Sequence, residues 1–252
     1  MSRPEFVQSL ERGLKVIRCF DAEHPRLTLS EVANRTGLTR ATARRLLLTL
    51  DELGYVSSDG RHFSLTPRVL DIGYAYVSSL NVQQIAQPYL EALSEHVNES
   101  VSVTVLDEAD IIYVARVPTT RIMTISLGLG SRLPAHCTSM GRVLLAELST
   151  DELRTVLPAE LTPRTERTIT SRRELEAVLA EVREQGWALV DEELEIGVRS
   201  IAAPLRDSNG RAIAAMNVST HAGRTTVAEL HEHFVPALVA TAQEISDAFA
   251  KR

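Results

Sequence analysis

Apolar residues recur at helical spacing along residues 9–20, where Leu10, Leu14 and Ile17 fall on one side of a helix. Residues 21–26, with Pro25, break that pattern. Thr28-Leu-Ser-Glu31 then has the form of a capping box, which predicts a helix that stops at Gly37. Thr39 caps a further helix that runs to Leu53 and ends at Gly54. On that helix Ala43, Leu46, Leu47, Leu50 and Leu53 share one face, and Ala41, Arg44 and Arg45 point away from it. Leu48 also points outward and is expected to pack on the following hairpin or linker. Two short helices joined through a glycine turn make a helix-turn-helix. Residues 55–58 and 61–65 alternate as two strands around Asp59-Gly60, which completes a winged helix-turn-helix.

Thr66-Pro67 caps a helical stretch to residue 80, and residues 81–97 open a second domain with another helix. From Ser100 the period changes to two: residues 101–105, 111–117 and 122–127 read as strands. Residues 138–148, 151–157 and 171–185 read as helices. Strands follow at 187–190, 198–205 and 211–219, the last pair turning at Asn209-Gly210, before a closing helix over 225–250. The expected fold class is α+β: a winged helix-turn-helix over 1–65, a linker helix over 66–80, and an effector-binding and oligomerisation domain over 81–252 built on one sheet.

With 252 residues, 44 % of them hydrophobic, the chain can bury two modest cores. No apolar run approaches the ~20 residues of a membrane span, and the first ten residues lack a signal-peptide core, so a cytoplasmic location is expected. Cys19 and Cys137 are too far apart in sequence for a metal motif or a disulfide framework. The net charge of −6 is unevenly spread: residues 1–80 carry a net +2 and the rest a net −8. The positive charge is almost all arginine, whose planar fork suits phosphate and guanine edges.

That distribution points to nucleic acid. A recognition helix lays its first outward side chains against base edges while others grip phosphate. The candidates for DNA contact are Thr39, Arg40, Ala41, Thr42 and Arg44 near bases, Arg45 at phosphate, and Arg61 and His62 at the hairpin tip.

The segments Gln8-Ser-Leu-Glu-Arg-Gly-Leu14, 29–37 and Leu38-Thr-Arg-Ala-Thr-Ala-Arg-Arg-Leu46 resemble the IclR family of bacterial transcriptional regulators. So do Gly130-Ser-Arg-Leu-Pro-Ala-His-Cys-Thr-Ser-Met-Gly141, Asp191-Glu-Glu and Gly197-Val-Arg-Ser-Ile-Ala-Ala-Pro204, and the resemblance spans nearly the whole chain. It implies a GAF-like effector-binding second domain, no cofactor, and a homodimer or dimer of dimers. Its implied partners are double-stranded operator DNA and a small organic acid, with RNA polymerase a further partner. Tyr113-Val-Ala-Arg-Val-Pro and Arg121-Ile-Met-Thr-Ile-Ser resemble the aromatic-degradation branch, which implies protocatechuate, 4-hydroxybenzoate or β-ketoadipate as effector. Acids of the glyoxylate or pyruvate kind are the alternative.

A small acid needs a few polar donors in an otherwise apolar cavity. Alternation over 211–219 puts Asn217 and Ser219 on one strand face, with Ser200 in register on the neighbouring strand. The resemblance implies that these three line the effector site with Ser139, Met140 and Asp191; some relatives have a second acidic residue where Val190 stands here. The helix start at Ser139 and the cation Arg121 would suit a carboxylate, while Arg132 is expected to hold its loop. Three other readings compete. His136-Cys137 raises a nucleophile and base, although neighbours in one loop need not meet in the required geometry. His231 and His233, two apart on a helix, diverge too far to share a metal ion. A second domain serving only for assembly is the remaining rival.

Overall fold

In the computed structural model, residues 5–73, 82–119 and 127–251 are described. The chain divides into two compact units, Met1–Ser79 and Leu80–Arg252.

The first unit contains α1 (Gln8–Ile17), α2 (Leu29–Thr36) and α3 (Arg40–Glu52) over a three-stranded sheet in the order β1-β3-β2. Its strands are β1 (Arg26–Thr28), β2 (Val56–Ser58) and β3 (His62–Leu65). The expected hairpin is β2–β3. The third strand, β1, lies where the sequence suggested only a break, because three residues are too few to display a period. Leu27 is buried in the core and anchors β1 against Phe63. Thr28 then ends the strand and caps α2: its hydroxyl accepts from Glu31 N–H while the Glu31 carboxylate accepts from Thr28 N–H. Gly37 ends α2 in the left-handed conformation, φ 67°, that lets the chain turn directly into α3.

The apolar stripe expected to seat α1 meets the core only at its end, Ile17. Leu10 is 62 % exposed and Leu14 44 %, whereas Val16, Cys19 and Phe20 pack with Leu27, Val32, Ala43, Leu47 and Leu50. Leu10, Leu14, Leu53 and Ile72, with Ile17 and Leu46 from the core's edge, line an open apolar groove of about 780 Å³. Leu53, placed inward by its spacing, is 51 % exposed, because it lies on that open groove and not in the core. Leu48 is exposed as well, and does not gain the cover expected from the hairpin or linker. After β3, Thr66 caps a short 3-10 turn, Pro67–Val69. Residues 74–80 of the expected linker helix lie outside the described residues.

The second unit is built on a six-stranded antiparallel sheet in the order β6-β5-β4-β9-β8-β7. The strands are β4 (Ser100–Asp107), β5 (Asp110–Val117), β6 (Arg132–Pro134), β7 (Ala188–Asp191), β8 (Val198–Arg206) and β9 (Ala212–His221). Strand β6 was not anticipated, and the strand expected over 122–127 lies, but for Leu127, outside the described residues. Alternation sorts the two sheet faces. Val101, Val103, Val105, Ile201, Ala203, Leu205, Met216 and Val218 form one apolar face. It packs against α4 (Val82–Val97) and the closing helix α9 (Val235–Ala250). That closing helix follows a short α8 (Val227–Glu229) and one π-helical turn, Leu230–Phe234.

The opposite face meets α5 (Ser139–Ala146), α6 (Thr150–Val156) and α7 (Arg172–Gln185) through Met140, Leu153, Leu175 and Leu179. Its centre is polar. Ser102 stands opposite Asn217 and Ser200 opposite Ser219, while Ala202, Ala215 and Ala188 leave room around them.

Candidate functional site

Thr39 begins α3 as its cap: its oxygen accepts from Thr42 N–H at 3.2 Å and its hydroxyl donates to Thr42 Oγ1 at 2.9 Å. Both threonines are therefore partly occupied in holding the helix start. Arg40, Ala41, Arg44 and Arg45 follow on the exposed side of α3, and Arg61 is exposed at the wing tip. None of these four arginines meets a carboxylate among the described residues. Other arginines of the same unit are committed. Arg35 pairs with Asp21 at 2.5 Å, Arg26 pairs with Asp59, and Arg68 donates to Leu53 O while stacking over the Tyr55 ring.

Asp59 organises the wing. Its carboxylate accepts from the N–H groups of Arg61 and His62 at 2.9 and 2.7 Å, and these bonds, with Arg26, hold it well below the usual carboxylate range. His62 is half-buried with its Nδ1 3.6 Å from Asp59, so this ring leans on the turn, whereas Arg61 extends from it.

In the second unit a small cavity, about 30 Å³, lies between the polar sheet face and the start of α5. Ser139, Met140, Ser200, Asn217 and Ser219, drawn from three separate segments, all line it. Ser139 Oγ and Ser200 Oγ are 2.9 Å apart, and Asn217 Nδ2 donates to Ser219 Oγ at 2.8 Å. Asn217 is 3 % exposed, and its Oδ1 has no hydrogen-bond partner among the described residues. A buried acceptor left open is costly unless a ligand or water completes it. Thr104 Oγ1 donates to Met140 Sδ at 3.4 Å, which ties α5 to the sheet.

Asp191 is not brought to the cavity. On β7 the cavity side belongs to Val190, which lines it, and alternation turns Asp191 to the other face. There Asp191 lies opposite Arg199 and accepts from its Nε at 2.6 Å, with Arg167 3.7 Å away. Arg121 lies outside the described residues. Arg132 donates to Asp107 and Asp110, at 2.6 and 3.2 Å, and so secures its loop.

Sequence reasoning missed Tyr113, Leu127, Thr138, Leu194 and Val198 as lining residues. Tyr113 shares the face of Thr104, its partner across β4 and β5, which register alone could have indicated. Burial pushes its hydroxyl up to about 12, against the pull of Arg116, so it is a neutral phenol at physiological pH.

Behind the cavity, Arg142 donates from Nε to His136 O at 3.0 Å and from Nη2 to Glu193 at 2.6 Å, and both side chains are buried. Glu193 also accepts from Ile169 N–H, so one ion pair joins α5 to the turn that carries Leu194. Gly141 permits this packing, since a Cβ there would lie 2.1 Å from Ala135 O. Cys137 and His136 do not form a nucleophile and base. Burial pushes the thiol up to about 11, and His136 Nε2 lies 3.1 Å from Thr162 O. The His231 ring packs edge-on against Trp187 at 5.0 Å.

Comparison with known proteins gives both units a family. Residues 9–60 match the IclR helix-turn-helix domain, and residues 74–247 match the bacterial transcriptional regulator IclR C-terminal domain. The chain is 46 % identical over 244 residues to the Pca regulon regulatory protein of Pseudomonas putida, covering 96 % of this chain and 84 % of that one. It is 35 % identical over 247 residues to the p-hydroxybenzoate hydroxylase transcriptional activator of Acinetobacter baylyi, covering 96 % and 91 %. The crystal structure of a transcriptional regulator from Rhodococcus sp. RHA1 is 55 % identical and superposes with a TM-score of 0.86, over 98 % of this chain and 99 % of that one.

Proposed function

The chain belongs to the IclR family of bacterial transcriptional regulators, a family of DNA-binding proteins rather than enzymes, and from that premise we propose that it is a regulator controlled by an aromatic acid. In this reading residues 1–65 bind operator DNA, 66–80 link, and 81–252 bind the effector and assemble a homodimer or dimer of dimers in the cytoplasm. Arg40, Ala41, Arg44 and the cap threonines approach base edges, while Arg45, Arg61 and His62 meet backbone or the minor groove. RNA polymerase is a further partner.

The observation that carries the effector half is the convergence of Ser139, Ser200, Asn217 and Ser219 on one buried cavity, with the Asn217 acceptor open. The names of the relatives, one of them a p-hydroxybenzoate hydroxylase activator, support an aromatic acid. A cavity of about 30 Å³ is of the order of one water site, far below the roughly 300 Å³ at which small-molecule pockets begin. The effector therefore binds only a more open arrangement. A ligand excluded from one state and admitted to another has the differential affinity that shifts a population.

Calorimetric titration of the full chain with protocatechuate, 4-hydroxybenzoate and β-ketoadipate tests this. One of the three is expected to bind, to lose affinity in Asn217→Ala, and to change the chain's affinity for an operator selected from random DNA. Binding of glyoxylate or pyruvate alone would overturn the aromatic assignment, and silence from all five would leave a second domain that only assembles subunits.

A further inference from the structure

We propose that Arg116 and Asn217 read opposite ends of the effector: the Arg116 guanidinium holds its carboxylate, and Asn217 Oδ1 accepts a hydrogen bond from a hydroxyl at the far end. The proposal deepens the aromatic-acid reading and rests on it.

Sheet register places the pair. Ser102, on β4, lies directly opposite Arg116 on β5 and directly opposite Asn217 on β9. Residues paired across antiparallel strands share a face, so Arg116, beyond the residues that line the cavity, rises from the same sheet face as Asn217, their backbones about two strand spacings, roughly 9–10 Å, apart. Side chains stand roughly perpendicular to a sheet, so the two polar ends are separated by a span of that order, which suits one ring substituted at opposite positions.

Each pole lacks a partner of the matching kind. Arg116 Nη1 donates to the carbonyl of Leu127, a lining residue, at 3.1 Å, but Nε is buried with no acceptor among the described residues. The other arginines of the sheet are held by acids: Arg132 by Asp107 and Asp110, Arg199 by Asp191, Arg206 by Glu147. Arg116 meets no such carboxylate among the described residues, and it is close enough to Tyr113, a lining residue, to influence its ionisation. A ligand carboxylate supplies the missing acceptor through a charge-assisted bond. At the other pole Asn217 Nδ2 is occupied by Ser219, and the open Oδ1 requires a donor. An ionised carboxylate offers none, whereas a phenol does.

The test is a calorimetric panel on the full chain with 4-hydroxybenzoate, benzoate and 4-hydroxybenzamide. The wild type is expected to bind 4-hydroxybenzoate at least about tenfold more tightly than either analogue. Arg116→Gln should erase the preference over the amide and keep the preference over benzoate; Asn217→Ala should do the reverse. If Arg116→Gln fails to fold, the wild-type selectivities and Arg116→Lys, which keeps charge but loses the fork, decide the matter. A wild type with no preference among the three, or equal weakening for all three in either variant, overturns the two-pole assignment and leaves the aromatic-acid reading intact. Failure of every aromatic acid to bind the wild type overturns that reading, and this proposal with it.

Discussion

Arg40, Arg44, Arg45 and Arg61 of the first domain are exposed and meet no carboxylate among the described residues, whereas Arg142 and Arg199 of the second are buried against Glu193 and Asp191. The first set is free to take phosphate, because no internal anion competes for it. The second set holds its own domain together, because a buried guanidinium without its anion is costly. In the proposed reading, arginines that meet no acid serve recognition and those that an acid holds serve architecture, so the partner decides the role.

The largest expected break comes from the architectural set. Arg142→Ala should destabilise the second domain by about 3–5 kcal/mol, since it strands buried Glu193. The double variant Arg142→Met, Glu193→Leu should recover most of that loss. Denaturant unfolding followed by tryptophan fluorescence reads both through Trp187, and a small loss in the single variant would show that the pair is not strongly coupled.

The recognition set should behave in the opposite way. Arg40→Ala should cost about 1–3 kcal/mol at its own base position and relax selectivity there, with no change in melting temperature. Arg45→Ala should weaken all sequences alike and lower the slope of log K against log salt by about one. Identical selectivity profiles for the two variants, measured by anisotropy across single-base operator changes, would collapse the division between base and phosphate.

Paired arginines within the first domain sharpen the contrast. Arg26→Gln, which gives up a partner in Asp59, should lower DNA affinity less than Arg45→Ala, because Arg26 is already committed. A larger effect from Arg26 would make internal pairing irrelevant to recognition.

The smallest effect is a pH dependence of the wing. The folded Asp59 carboxyl lies below its unfolded value of about 3.9, so its contribution is fully present above that value and is lost as pH falls through the folded one. Acidification below about pH 4 should loosen the hairpin amides of Arg61 and His62, and Asp59→Asn should remove that dependence; NMR amide shifts report it.

Much of the fold was legible because local rules carried it. The capping box at Thr28, the turn at Gly37 and the hairpin at Asp59-Gly60 each satisfy backbone groups within a few residues. The cavity set Ser200, Asn217 and Ser219 was legible for the same reason, since period-two alternation fixes a strand face. Asp191 was carried over by the family resemblance alone, which misled, because its neighbour Val190 takes the cavity side of the strand.

The sequence by itself determined element types, caps, the glycine turn, the uneven charge and the residues that share each strand face, all set by interactions within one turn or one strand. Only the tertiary structure decided which apolar stripe meets the core. Leu10 and Leu14 have a periodicity as good as any, but Val16 makes the contact, because a moment along one helix does not state where its neighbours lie. Only the tertiary structure brought Tyr113, Ser139, Val190 and Asn217 to one cavity and left Arg116 Nε and Asn217 Oδ1 open, because a hydrogen bond's absence depends on every segment that could have supplied it.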